Sequence, residues 1–82
     1  MEKFLNNDAG FVKWLQDNPQ GYVVNDRGSD GLMMYRATCD HFQPHDEWAK
    51  TTNLKACSLE KRELEIWAGE RNESLLNCDS CM

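Results

Sequence analysis

Gly21-Tyr22-Val23-Val24-Asn25-Asp26-Arg27-Gly28-Ser29-Asp30-Gly31-Leu32-Met33-Met34-Tyr35-Arg36 is the stretch that decides the fold. Two short runs rich in β-prone and apolar side chains flank a loop of Gly, Asp, Arg and Ser, the pattern of two strands joined by a turn. Met is neutral as a strand former, so the second run rests on Tyr35 and on the hairpin context. The expectation is a hairpin over residues 21–36, which makes the domain mixed and not all-helical.

Upstream, Phe11, Trp14 and Leu15 recur at i, i+3 and i+4, with Lys13, Gln16 and Asp17 turned away. That spacing predicts a helix over residues 8–18, opened by Asn7 or Asp8 and stopped by Pro19. Downstream, residues 37–50 have no sustained periodicity and read as a structured loop, with one helical turn over 46–50. Partial alternation predicts a third strand over residues 52–57. Ser58 then stands as the N-cap of a helix over 59–70, with Leu64, Trp67 and Ala68 as its inward stripe. Residues 75–82 form a cysteine-bearing C-terminal segment. The expected architecture is a single α+β domain over 1–82: a small, three-stranded, mainly antiparallel sheet with two packed helices, stabilised by a metal. Trp14 and Trp67 are expected at opposite ends of one sheet face, in one cluster with Val23 or Val24 and Leu64.

Composition narrows the function classes. Nine Lys and Arg against fourteen Asp and Glu give a formal charge of −5. Non-specific nucleic-acid binding comes from basic side chains neutralising phosphates, so this balance disfavours it, and it equally disfavours an anionic membrane surface. No run approaches the ~20 apolar residues of a membrane span, and the opening MEKFLNNDAG lacks the apolar core of a secretory signal. These features point to a cytoplasmic protein.

Four cysteines in 82 residues are the unusual count. In a reducing compartment long-lived disulfides are rare, and a small core is often supplemented by a metal. Cys78 and Cys81 form a C-x2-C pair, the spacing with which one tight turn offers two thiolates to one ion. Cys39 and Cys57 are isolated in sequence. Four thiolates suit a closed tetrahedral zinc site, so the candidate ligands are Cys39, Cys57, Cys78 and Cys81, with His41 or His45 as alternatives. Cys57 is included for its position at a strand end just before a helix. Lys55 or backbone N–H groups would shield the sulfurs. Two further readings stay open: a mixed Cys/His site, or buried cysteines with no metal. A catalytic dithiol is disfavoured, because only Met82 follows Cys81 and no helix supplies the field that lowers a thiol pKa.

Four segments carry a resemblance: Asn18-Pro19-Gln20-Gly21-Tyr22-Val23-Val24-Asn25, Leu32-Met33-Met34-Tyr35-Arg36-Ala37-Thr38-Cys39, Lys55-Ala56-Cys57 and Cys78 to Cys81. Together they resemble a small bacterial α+β domain with G-[FY]-V-x-N, HRA-x-C, K-x-C and C-x-x-C stretches, found alone and attached to nuclease-like proteins. The resemblance covers nearly the whole chain and implies the four-cysteine ligand set. Tyr35 stands where the pattern has His, which implies packing there and not ligation. The loop after Cys39 is acidic, where a DNA-contacting loop would be basic.

Other chemistry is weaker. His41 and His45, with Asp40, Asp46 and Glu47, lack the H-E-x-x-H spacing of a hydrolytic metal site, and read first as a solvated polar loop. No serine has a nucleophile-elbow context, and the loop over residues 26–31 has no phosphate-binding lysine. Phe42 and Trp48, in an irregular charged loop, are candidate partner contacts, since exposed aromatics are enriched at binding hot spots. The function these features suggest is a non-enzymatic, zinc-stabilised module that binds another protein. The alternative is an accessory nucleic-acid-binding module associated with a restriction-type or repair nuclease.

Overall fold

The computed structural model of the chain describes residues 1–42 and 50–82. Its elements are β1 (Glu2–Phe4), α1 (Asp8–Asp17), β2 (Tyr22–Asp26), β3 (Leu32–Arg36), β4 (Lys55–Ser58), α2 (Lys61–Glu70) and β5 (Leu75–Asn77), with short 3-10 turns at Gly28–Asp30 and Asp40–Phe42. The sheet has five strands in the order β1-β4-β2-β3-β5. The class is therefore α+β with two helices, but the three-stranded sheet is corrected to five. Both additions are three-residue edge strands. β1 pairs antiparallel with β4, and β5 pairs parallel with β3.

The central hairpin is in register from Tyr22↔Arg36 to Asp26↔Leu32, and β4 lies on the other side of β2 with Val23 opposite Cys57. β4 and β3 are each antiparallel to β2, so β4 runs in the direction of β3 and of β5. A parallel return needs a crossover, and α2 supplies it from β4 to the far edge.

Side chains alternate across a strand, so neighbours in sequence serve opposite faces. Val23, Tyr35 and Cys57 pack with Phe11, Trp14 and Leu15 of α1. Val24, Met34 and Ala56 pack with Leu64, Trp67 and Ala68 of α2. The single cluster expected to hold both Trp14 and Trp67 is thus two clusters, with the two tryptophans on opposite faces of the sheet. Each helix covers one face, and β4 is buried along its whole length.

Ser58 is not the formal cap of α2, which begins at Lys61 behind Glu60. Its hydroxyl acts one step earlier. It accepts from the Glu60 N–H (3.0 Å) and donates to the Glu63 carboxylate (2.7 Å), so it ties the strand end to the first helical turn. Cap and strand end overlap here because β4 runs through Ser58.

A second knot fastens the start of α1. The Asn7 side chain accepts from the Gly10 N–H at 3.1 Å, the N-cap bond. Asp8 Oδ1 accepts from the Thr51 N–H (2.7 Å) and from the Thr51 hydroxyl (2.8 Å), and that hydroxyl accepts in turn from the Asn7 N–H. Thr51 is completely buried. The Thr51 backbone bond, then its hydroxyl, holds the Asp8 pKa below the ordinary carboxylate range. The Ser58 hydroxyl does the same for Glu63. A carboxylate whose folded pKa is depressed contributes stability that is complete at neutral pH and is lost as pH falls through about 4 and below. Wild type is therefore expected to lose stability between pH 5 and 3. Thr51→Val should reduce that slope, since Asp8 then titrates nearer its usual value. The same variant leaves the Asn7 N–H without its acceptor, a loss of about 1–2 kcal/mol at pH 7 in denaturant titration.

Candidate metal centre

The site is built by the parallel pairing of β3 and β5. In a parallel pair both strands end at the same end of the sheet, so whatever follows them is brought together. Met34 is opposite Asn77. Cys78 follows at once, and its N–H continues the ladder to the Met34 carbonyl at 2.9 Å. The chain then turns through Asp79 and Ser80, with the Met82 N–H on the Cys78 carbonyl at 2.9 Å. On the other strand, β3 ends at Arg36, and the Cys39 N–H closes a turn on the Arg36 carbonyl at 3.0 Å. The next 3-10 turn, Asp40–Phe42, carries His41.

The ligand atoms of Cys39, Cys78 and Cys81 all lie within 4.8 Å of one another. The Cys39 and Cys78 sulfurs are 3.9 Å apart. His41 Nδ1 is 3.3 Å from Cys39 Sγ and 3.5 Å from Cys78 Sγ. Cys39 and Cys78 are buried, whereas Cys81 is only partly so. These three cysteines can bind a metal ion.

Supporting groups surround the sulfurs. The Arg36 N–H donates to Cys81 Sγ at 3.2 Å, and Arg36 Nε donates to the Cys81 carbonyl at 2.9 Å, fixing the terminal turn against β3. Burial opposes ionisation of Cys78, but backbone hydrogen bonds from Ser80 and Cys81 and thiol bonds from Cys39 and Cys81 outweigh it, and its pKa lies below the ordinary thiol value. Burial pushes the Cys39 thiol up to about 12. Cys78 thus ionises more readily than an ordinary thiol and Cys39 less readily, and a bound cation would deprotonate both, since a coordinating thiol is deprotonated by the ion. Shielding comes from backbone N–H groups. Lys55 instead donates to the Lys50 carbonyl at 2.7 Å, with burial lowering its pKa.

The remaining sequence candidates are distributed differently. Cys57 is fully buried in β4 but is not brought to the cluster. β2 lies between β4 and β3, so at ~4.8 Å per strand Cys57 stands roughly 10 Å from β3 and 14 Å from β5. Desolvation raises its pKa, with the Glu2 charge adding to the effect. Its surroundings make it a core thiol. Phe42 is buried (1% exposed), edge-on to Phe11 at 5.6 Å and to Tyr35 at 5.2 Å, so its side chain anchors the His41 turn. Tyr35 packs edge-on against the His41 ring at 5.5 Å. His45, Trp48 and the helical turn expected over 46–50 lie outside the described residues.

The sequence expectation placed Cys57 with Cys39, Cys78 and Cys81, and the structure brings together only the last three. The usable signal was Cys39-x-His41, a second short-spaced pair to set beside Cys78-x2-Cys81. Comparison with known proteins adds no family to this geometry: no family model, no curated protein and no solved structure matches the chain. Among the described residues no helix is long and apolar enough to cross a membrane.

Proposed function

We propose that this chain is a non-enzymatic binding module held together by one structural zinc ion, and that it works by engaging another protein. The observation that carries the reading is the cluster of Cys39, Cys78 and Cys81 at the shared end of β3 and β5. Thiolate-rich donor sets select zinc among the abundant divalent ions, and structural zinc sites are built in this way. A zinc ion here would join the end of the central hairpin to the last residues of the chain. That is a short edge of the fold, since β5 has three residues and pairs with β3 alone.

A protein-binding role is supported by the outer side of α2. Ile66 is exposed there, as is Leu59 just before the helix, and Ile66 and Trp67 line a groove of ≈ 570 Å³ edged by Glu60, Glu63, Glu70 and Arg62. Such a surface, with charges of both signs at its edge, suits a partner that inserts an apolar side chain beside Ile66.

The test counts metal and thiols together. Protein purified under reducing conditions without chelator is expected to show one zinc per chain by native mass spectrometry. Cys39, Cys78 and Cys81 should resist alkylation until a chelator is added, and Cys57, shielded only by burial in β4, should react only as the fold itself is lost. Zinc-free protein with Cys81 alkylated at once would contradict the reading.

A further inference from the structure

We infer that His41, through Nδ1, is the fourth ligand of this centre and closes it as a Cys3His site; the inference rests on the zinc reading above. Tetrahedral zinc with bonds of ~2.3 Å to sulfur and ~2.0–2.1 Å to imidazole nitrogen fixes the ligand–ligand edges at about 3.8 Å for S···S and about 3.5 Å for S···N. The observed edges are 3.9 Å for Cys39–Cys78, 3.3 Å for Cys39–His41 and 3.5 Å for Cys78–His41. One triangular face of a coordination tetrahedron is therefore already formed by two sulfurs and one nitrogen; the Cys81 sulfur lies within 4.8 Å of both other sulfurs, and its edge to His41 is the one that ion binding would have to close.

The turn that delivers His41 is fixed from behind. Phe42 is locked between Phe11 and Tyr35, and the Tyr35 ring stands edge-on to the imidazole at an interplanar angle of 81°. Coordination through Nδ1 places the ring proton on Nε2, which leaves a neutral imidazole as metal ligands require. Three thiolates and a zinc ion then sum to one negative charge, which the Arg36 N–H and the backbone N–H groups of the terminal turn face. A closed shell has no position for a water or a substrate, so this zinc would be structural and not hydrolytic.

Zinc K-edge absorption on the full, reduced chain tests this. Wild type should show three sulfurs and one nitrogen, with the outer-shell scattering of one imidazole. His41→Ala should lose the imidazole scattering, gain an oxygen, and bind zinc more weakly by more than the ~10–100-fold that loss of an outer-shell partner costs. His41→Cys should keep one zinc with four sulfurs, which guards against a His41→Ala chain that fails to fold. Cys57→Ser and His45→Ala should leave the spectrum unchanged. Four sulfurs in wild type, three sulfurs with an oxygen, or imidazole scattering that survives in His41→Cys would each overturn the assignment while leaving a zinc site. A wild-type chain that takes up no zinc would overturn both the assignment and the reading beneath it.

Discussion

Cys78→Ser is expected to abolish zinc binding and, with it, the cooperative melting transition of the domain. Cys78 is almost fully buried, contacts Cys39 and His41, and is the residue whose N–H extends the β3–β5 ladder to Met34. Structural zinc contributes an apparent ~10–16 kcal/mol in zinc-finger peptides at pH 7. A domain of 82 residues has a total stability of only about 4–12 kcal/mol at ~0.05–0.15 kcal/mol per residue. Loss of the ion therefore outweighs the reserve, and circular dichroism should show a sloping melt with no baseline. Cys57→Ala is the matched comparison. It removes a buried thiol from the same apolar cluster but no ligand, so zinc uptake should persist at an ordinary core cost of about 1 kcal/mol.

Phe11→Ala should have the largest effect of the changes considered away from the proposed metal ligands. Phe11 is fully buried and sits where three pieces meet: Phe4 of β1 at 5.9 Å, Phe42 of the His41 turn at 5.6 Å, and the Lys55 ammonium 5.9 Å over its ring. Truncating a phenylalanine in such a position costs about 3–5 kcal/mol, part of it from the cavity left behind. The variant should also bind zinc more weakly, because Phe42 loses the wall that holds the His41 turn. Phe11→Leu should recover most of both losses. Ile66→Ala, on the exposed side of α2, should change stability by less than about 0.5 kcal/mol.

The pattern of these effects matches what the sequence could and could not disclose. Both helices were legible, because Phe11, Trp14 and Leu15, and Leu64, Trp67 and Ala68, mark a stripe at helical spacing that tertiary packing uses directly. The central strands were legible from the Gly- and Asp-rich loop between them. β1 and β5 were not, because three residues are too few to display an alternation, and Leu75-Leu76 reads equally as a loop anchor. Missing β1 and β5 had two consequences. With three strands one face seemed enough for both tryptophans. In five strands, with α2 crossing from β4 to β5, each helix has its own face, and Val23 and Val24 part company.

The same omission blurred the candidate metal centre. Four cysteines and a C-x2-C pair announced thiolate chemistry, but which cysteines converge depends on the β3–β5 pairing alone. Cys57 looked eligible by its place at a strand end. It is separated from the cluster by the width of the intervening strands, a lateral distance with no trace in sequence spacing. His41 looked secondary, yet its position two residues after Cys39 puts it on the turn that closes over the sulfurs.

The most direct measurement is a paired thermal melt of the reduced full chain, stripped of zinc in one sample and loaded with one equivalent in the other. The account predicts a zinc-dependent rise in Tm large enough to separate a weak or absent transition from a sharp one, reversed by chelator, and absent from Cys78→Ser. Superimposable melts for the two samples would contradict it, and would leave Cys39, Cys78 and Cys81 as thiols that merely pack together.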